Sequence, residues 1–365
     1  MKIRALSVLI AVLLSASALL VSCNQTVGGS QSEQETTATI SNIDPNIKIG
    51  ELETAENGLQ FRLYTEKSGT KYYVAVGIGK YKDANLVIPD TFKSLPVQVI
   101  ADSAFQGNKT ITSVTLPNSV KTIGKLAFGD CDKITELSLP DSVVTLGERA
   151  FSDCDTLATV TMGSGLDLIG GKCFYSCDKL EAVNFGAAVK TIGFEAFFGC
   201  PSLKQLTLPT SLSVIEDHAF WGCVALESIQ IYDQLTYIGR DAFYACAKLT
   251  PTEVEGDLYL GNTENPHLLL VAIGDKTVEE YIVKDSVKYI GQEVFSNCEK
   301  LKTVTLPSGI TLLSEGAFQF CAVLETVQFQ NTTQAWQNVS KGYLWDQQSG
   351  NYSVQCSDGT VVKVQ

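Results

Sequence analysis

Phe105, Phe128, Phe151, Phe174, Phe197, Phe220 and Phe243 follow one another at intervals of 23 residues, and Phe295 and Phe318 resume the interval after a gap of 52. A small residue precedes most of these phenylalanines: Ala127, Ala150, Ala196, Ala219, Ala242 and Ala317, with Cys173 and Val294 as departures. Three residues after the phenylalanine comes Cys131, Cys154, Cys177, Cys200, Cys223, Cys246, Cys298 or Cys321, and only the first unit differs, with Asn108. Self-similarity at a fixed short period is the signature of a repeat array. One unit cannot close a core alone, but stacked units share a continuous one.

Each unit reads as a coil of chain. In Ile134 to Pro140, Leu137 and Leu139 alternate with polar residues as in a short strand with one buried face. Pro117, Pro140, Pro209 and Pro307 end that strand by removing a donor. Val143 and Leu146 turn inward before Gly147, a residue suited to a tight bend. Ala150, Phe151 and Cys154 lie at helical or 3₁₀ spacing on the outer wall. The expected fold is an α/β solenoid of short parallel strands with helical or 3₁₀ outer turns. Nine units at about 4.8 Å each make a rod roughly 45 Å long.

Ile123-Gly124, Ala127-Phe128, Cys131, Ile134, Leu137 and Leu139-Pro140 carry a pattern similar to that of the BspA-like bacterial surface proteins, a leucine-rich-repeat class with 23-residue units. Leu86 to Pro89 with Leu95 to Val97 resembles that family's opening unit. Tyr259 to Asn262 with Asn265-Pro266 and Leu268 to Val271 resembles its mid-array insertion. Trp336, Trp345, Cys356 and Asp358 to Thr360 resemble its closing segment. The resemblance implies N-terminal capping strands over 41–98, a solenoid over 99–329 with an inserted hairpin at about 251–276, and a C-terminal cap over 330–365. It also implies an interaction role, since members of the family are linked to attachment to host matrix proteins and to other cells.

The N-terminus reads as an address. Lys2 and Arg4 precede an apolar run from Ala5 to Val21, the charged and apolar regions of a secretory signal. The run ends at Leu20-Val21-Ser22-Cys23, which resembles the bacterial lipoprotein cleavage box and implies a signal peptide over 1–22 and acylation of Cys23. Several acyl chains on one residue would anchor the chain stably. Residues 23–40 (CNQTVGGSQSEQETTATI) are polar and small, which predicts a flexible tether. The expected location is the bacterial cell envelope, on the outer surface, with the membrane reached through the lipid alone.

Composition narrows the chemistry. The 40 acidic and 27 basic residues give a formal charge of −13, with no cationic run to neutralise phosphates, so nucleic acid is not an expected partner. The chain has two histidines, His218 and His267, in unlike contexts, and no paired Cys-x-x-Cys, which leaves little for a metal centre or a catalytic triad. No catalytic residue, metal site or cofactor is expected, and the chain reads as non-enzymatic. The eight repeat cysteines should form a ladder of buried thiols, although an exported setting permits disulfides. Asp130, Asp132, Asp153, Asp155 and Asp178 flank that ladder and read as turn residues rather than a calcium loop.

Two surfaces could meet a partner. The outward positions of the strands, such as Thr135, Glu136 and Ser138, form a polar, nearly uncharged face. More sharply, Tyr175, Phe198, Trp221 and Tyr244 occupy one repeat position in four consecutive units and predict an aromatic stripe about 15 Å long. Such a stripe suits a protein ligand, on host matrix or another cell surface. A glycan-binding module or a structural envelope scaffold is the alternative, and the same rings could simply seal the wall.

Overall fold

The computed structural model of the chain describes residues 46–363. The expected signal peptide, Cys23 and the tether lie outside the described residues. A regular coil contributes two short strands that stack in parallel on their equivalents in neighbouring coils, the second ladder running on through successive coils and the first broken into shorter runs. The first ladder includes Glu136–Ser138, Thr159–Thr161 and Ala182–Asn184, in which Leu137, Val160 and Val183 face one another in register. The second runs from Leu95–Ile100 through Thr122–Ile123, Thr145–Leu146, Leu168–Ile169, Thr191–Ile192 and Val214–Ile215 to Tyr237–Ile238. The register of 23 residues explains why inward positions repeat: Ile123, Leu146, Ile169, Ile192 and Ile215 stack as one buried column.

The repeat phenylalanines form the centre of the core. Rings of Phe128 and Phe151 lie 5.1 Å apart and within 3° of parallel, and those of Phe197 and Phe220 5.4 Å apart and within 2°. Phe105 through Phe243 form one continuous column, and Phe295 and Phe318 a second pair at 4.9 Å. The spacing is close to the strand-to-strand repeat of a sheet.

That spacing corrects the expectation of helical or 3₁₀ outer turns. An α-helix is about 10 Å wide and cannot recur every ~5 Å. The outer wall is instead a zigzag of hydrogen-bonded turns. Leu126, Phe128 and Asp130 donate N–H groups to Glu148, Ala150 and Ser152 of the next coil, at 2.8 to 3.0 Å. The residues between them, Ala127 and Gly129, donate three residues back, to Gly124 and Leu126. This alternation needs a left-handed residue two before and two after each phenylalanine. Leu126 (φ 54°) with Asp130 (φ 61°), and His218 (φ 57°) with Gly222 (φ 74°), show the rule, which holds in all nine units. Two left-handed residues four apart in each coil are incompatible with a helix there. The one helix among the described residues is Thr333–Asn338, beyond the last repeat.

Antiparallel strands flank the array. Lys48–Thr54, Gln60–Thr65 and Lys71–Gly77 pair in sequence before the last of them joins Leu95–Ile100, and Ser353–Cys356 turns back on Gly359–Val362. Where the insertion was expected, three strands form an antiparallel run. Thr252–Val254 pairs with Asp257–Leu260, which pairs with Leu269–Ala272, and the last lies parallel to Tyr289–Ile290. The insertion thereby re-enters the second ladder, so stacking resumes. The buried apolar residues fall into two clusters that meet at the insertion, which supplies Leu260, Leu268 and Leu269 to the first and Tyr259 and Leu270 to the second.

Candidate functional site

The cysteine ladder is the first candidate for chemistry. All ten cysteines among the described residues are free thiols, nine of them buried. Each ladder thiol from Cys131 to Cys246 points back one coil and donates to the repeat phenylalanine's carbonyl: Cys131 to Phe105 at 3.2 Å, Cys200 to Phe174 at 3.1 Å. Cys321 does the same to Phe295 at 2.9 Å. In the first unit Asn108 turns its side chain to the N–H groups of Thr110 and Ile111. Burial pushes the Cys131 and Cys246 thiols up to about 12, and those of Cys154, Cys177 and Cys200 well above the ordinary value. A thiolate is the reactive form, so these five are chemically quiet, whereas a hydrogen bond with Cys321 holds the Cys298 thiol below its ordinary value.

These shifts carry a sign. The folded state holds the five raised thiols, and likewise Tyr73 and Tyr259 at about 12, in the neutral form, while the unfolded chain ionises its thiols near pH 9 and its tyrosines near pH 10. Above those values the unfolded state binds fewer protons than the folded one, so stability falls as pH rises. The urea midpoint should hold steady from pH 6 to 8 and drop progressively from pH 9 to 11. At pH 8 an aromatic disulfide reagent should modify Cys356 in the folded protein, Cys23 aside, and reach the nine ladder and core thiols only after unfolding. Rapid labelling of the ladder in the folded state would contradict this.

Among the described residues no group of three or more His, Cys, Asp or Glu is arranged to hold a metal ion. Asp130 and Asp153 sit at left-handed turn positions, a conformation that short polar side chains tolerate. Lys109 bridges Asp130 and Asp132 at 2.7 Å each. Exposed pairs one coil apart recur along the wall, as in Lys125–Glu148 and Lys302–Glu279, and contribute little individually. His267 lies against the Tyr259 ring within the insertion, 5.0 Å between centroids.

The four residues of the aromatic stripe are brought together. Tyr175 and Phe198 stack at 5.0 Å and 6°, Phe198 and Trp221 at 5.8 Å and 16°, and Trp221 and Tyr244 at 4.4 Å and 37°. Their backbones belong to the outer-wall zigzag: Asp153 donates to Tyr175 O, Ser176 to Phe198 O, Gly199 to Trp221 O and Gly222 to Tyr244 O. Tyr175, Phe198 and Trp221 therefore share ring faces with their neighbours, and Tyr244 is tilted against Trp221. The first three rings are half-buried, whereas Tyr244 is 49% exposed.

Sequence reasoning missed what surrounds the stripe. Phe194, 39% exposed, and His218 form an edge-to-face contact at 5.8 Å, and His218 in turn meets Trp221 at 5.2 Å. His218 Nε2 lies 3.7 Å from Asp241, and Lys172 lies over the rings of both Tyr175 and Phe194 while pairing with Glu195 at 3.3 Å. On the adjoining second ladder, Leu168, Val214 and Tyr237 occupy one outward column. The signal for these residues was positional, because His218 and Lys172 stand two before their phenylalanines. Only the left-handed turn reveals that this position faces the stripe.

Two stacked strand ladders with a leucine-, isoleucine- and phenylalanine-filled interior define a leucine-rich-repeat solenoid. The profile of the BspA type leucine rich repeat region matches in six copies over residues 84–203, 168–260 and 274–340, and the chain belongs to that family. A leucine-rich repeat protein from Bacteroides ovatus is 24% identical, over 83% of this chain and 79% of its own, with a TM-score of 0.41. A leucine rich cell surface protein from Faecalibacterium prausnitzii is 20% identical, over 80% and 97%, with a TM-score of 0.33. The pneumococcal vaccine antigen PcpA is 17% identical, over 85% and 89%, with a TM-score of 0.42. No curated protein matches.

Proposed function

We propose that the chain is a non-enzymatic, protein-binding module of the bacterial cell surface, held to the envelope by a lipid on Cys23. In this reading the strands at either end cap the array, and a partner protein docks on the aromatic stripe. The observation that carries it is the shared stacking of Tyr175, Phe198, Trp221 and Tyr244. A sugar packs on an open ring face, and here the inner faces are occupied by other rings. The stacked rings beside Phe194, Lys172 and His218 form a mixed apolar and polar patch of the kind protein interfaces use. This favours a protein ligand, such as a matrix protein or another cell's surface protein, over a glycan. The description of the Faecalibacterium protein as a cell surface protein is consistent with the location.

The test uses a soluble fragment, residues 39–365, against a panel of matrix proteins and glycans. Changing Tyr175, Phe198, Trp221 and Tyr244 together to Ser should abolish binding while circular dichroism stays that of the parent. Tyr244→Ser alone, at the exposed end, should weaken it about tenfold without touching the wall. Binding that persists in the quadruple variant would move the site off the stripe. No binding by the parent to any panel member would favour an envelope scaffold.

A further inference from the structure

A second site, separate from the stripe, lies where the first-strand ladder is interrupted by the insertion. In regular coils, alternate residues of this strand turn their backbone groups toward the following coil. Leu139 N–H donates to Thr161 O and Met162 N–H to Asn184 O, both at 2.9 Å. Leu206 and Ile229 are register partners, as Val160 and Val183 are, and the 23-residue spacing puts all four at the same central position of their strands. The N–H and C=O of Ile229 thus face the coil that follows Ser228–Gln230. The strand due there, Thr252–Val254, has left to pair with Asp257–Leu260, and Ser228–Gln230 is paired only with Gln205–Thr207. The ladder bonds also lapse between Ser113–Thr115 and Glu136–Ser138 and between Ala182–Asn184 and Gln205–Thr207, but there the next strand still lies alongside.

The ladder remains closed on both sides of this opening. Thr250 N–H approaches Glu227 O at 3.5 Å, Ile231 N–H donates to Gly261 O at 3.0 Å, and Ile231 O accepts from Asn262 Nδ2 at 2.7 Å. Between these closures is a recess of about 210 Å³, edged by Ser228 and Gln230, walled by Thr250 and Thr252, and floored by Tyr259 and Leu260.

We propose that this recess takes a short, extended, uncharged segment of a partner polypeptide, which adds as a strand to Ser228–Gln230. Amide groups already complete the ladder at Ile231, so the same chemistry completes it at Ile229, two residues earlier. A donor and an acceptor offered by one residue toward the same side is what strand addition uses. No charged side chain lines the recess, so an ionised residue entering it would lose hydration without gaining a partner. The volume falls below the ~300–1,000 Å³ usual for a small-molecule cleft and suits a few residues of extended chain.

The test is amide hydrogen exchange on the full chain in detergent, with a capped Thr-Val-Thr-Val-Thr peptide as the probe. In the free protein the Ile229 amide should exchange at least about tenfold faster than that of Leu206, whose strand is paired. Millimolar peptide should slow Ile229 about tenfold and leave Leu206 unchanged, whereas a capped Glu-Val-Glu-Val-Glu peptide should not. Thr252→Trp, or Thr250→Trp should the first misfold, fills the recess from an exposed position and should abolish the slowing. The proposal is overturned if Ile229 is already as slow as Leu206, if neutral peptide leaves it unchanged, or if filling the recess leaves the slowing intact. The stripe variant should bind this peptide like the parent, so the two sites fail independently.

Discussion

Phe174→Ala should lower the free energy of unfolding by about 3–5 kcal/mol, the largest loss expected from any single repeat position. The ring is fully buried, 5.8 Å from Phe151 on one side and 5.3 Å from Phe197 on the other. Truncation removes apolar burial, two ring contacts and the packing that joins three coils, and the rigid backbone ladders on either side prevent the cavity from collapsing. In a solenoid the terms that hold neighbours together are local, so the array should weaken at that coil. Phe198→Ala, in the half-buried outer stripe, is the control and should cost about 1 kcal/mol. Urea unfolding of both variants measures the difference. A Phe174→Ala loss no larger than that of Phe198→Ala would mean that the central column is not what couples the coils.

Asp257→Ala should separate the array into two unfolding units and destabilise the later one by about 2–4 kcal/mol. The Asp257 carboxylate accepts from the Tyr281 hydroxyl, from the Tyr259 hydroxyl at 3.2 Å and from Gly274 N–H at 2.9 Å. Tyr281 in turn packs edge-on against Phe295, 5.1 Å between centroids, the first phenylalanine of the resumed array. One carboxylate therefore ties the insertion to the second apolar cluster. Its loss leaves the hydroxyl of the buried Tyr259 without that acceptor. Trp336 and Trp345 lie in the later half and Trp221 in the earlier one, so fluorescence weights the later half while circular dichroism reports both. In the parent the two signals should coincide through the urea transition, and in Asp257→Ala fluorescence should change first. Asp257→Asn keeps one acceptor oxygen and should lie between them. Coincident transitions at the parent's midpoint in Asp257→Ala would show that the insertion is coupled by its strands alone.

The coil, its core and its thiols were legible in the sequence because a 23-residue register makes every inward position repeat. Ile123, Leu146 and Phe128 could be assigned to the interior without coordinates, as could the break after Cys246. The outer wall is not legible in this way. Ala150, Phe151 and Cys154 fit helical spacing equally well, and spacing alone does not report the distance between coils. A partial signal existed two residues after each phenylalanine, where Gly107, Asp130, Asp153, Gly199, Gly222 and Asn297 are residue types that accept left-handed backbone. Two residues before it, Leu126, Arg149, Lys172 and Glu195 gave no such hint, although they adopt the same conformation.

The stripe divides in the same way. That Tyr175, Phe198, Trp221 and Tyr244 share one column follows from counting, since equal spacing in a stacked array places equivalent residues in line. Whether their faces or their edges meet solvent is decided by the ~5 Å rise between coils, which brings each ring into van der Waals contact with the next. The opening beside Ile229 was equally out of reach, because it depends on which partner Thr252–Val254 chooses. Periodicity by itself determined what repeats and what is buried, through the fixed register of a stacked chain. Tertiary structure alone decided where the repetition stops pairing and which backbone groups are left facing outward, because those depend on competing hydrogen-bond partners far apart in the chain.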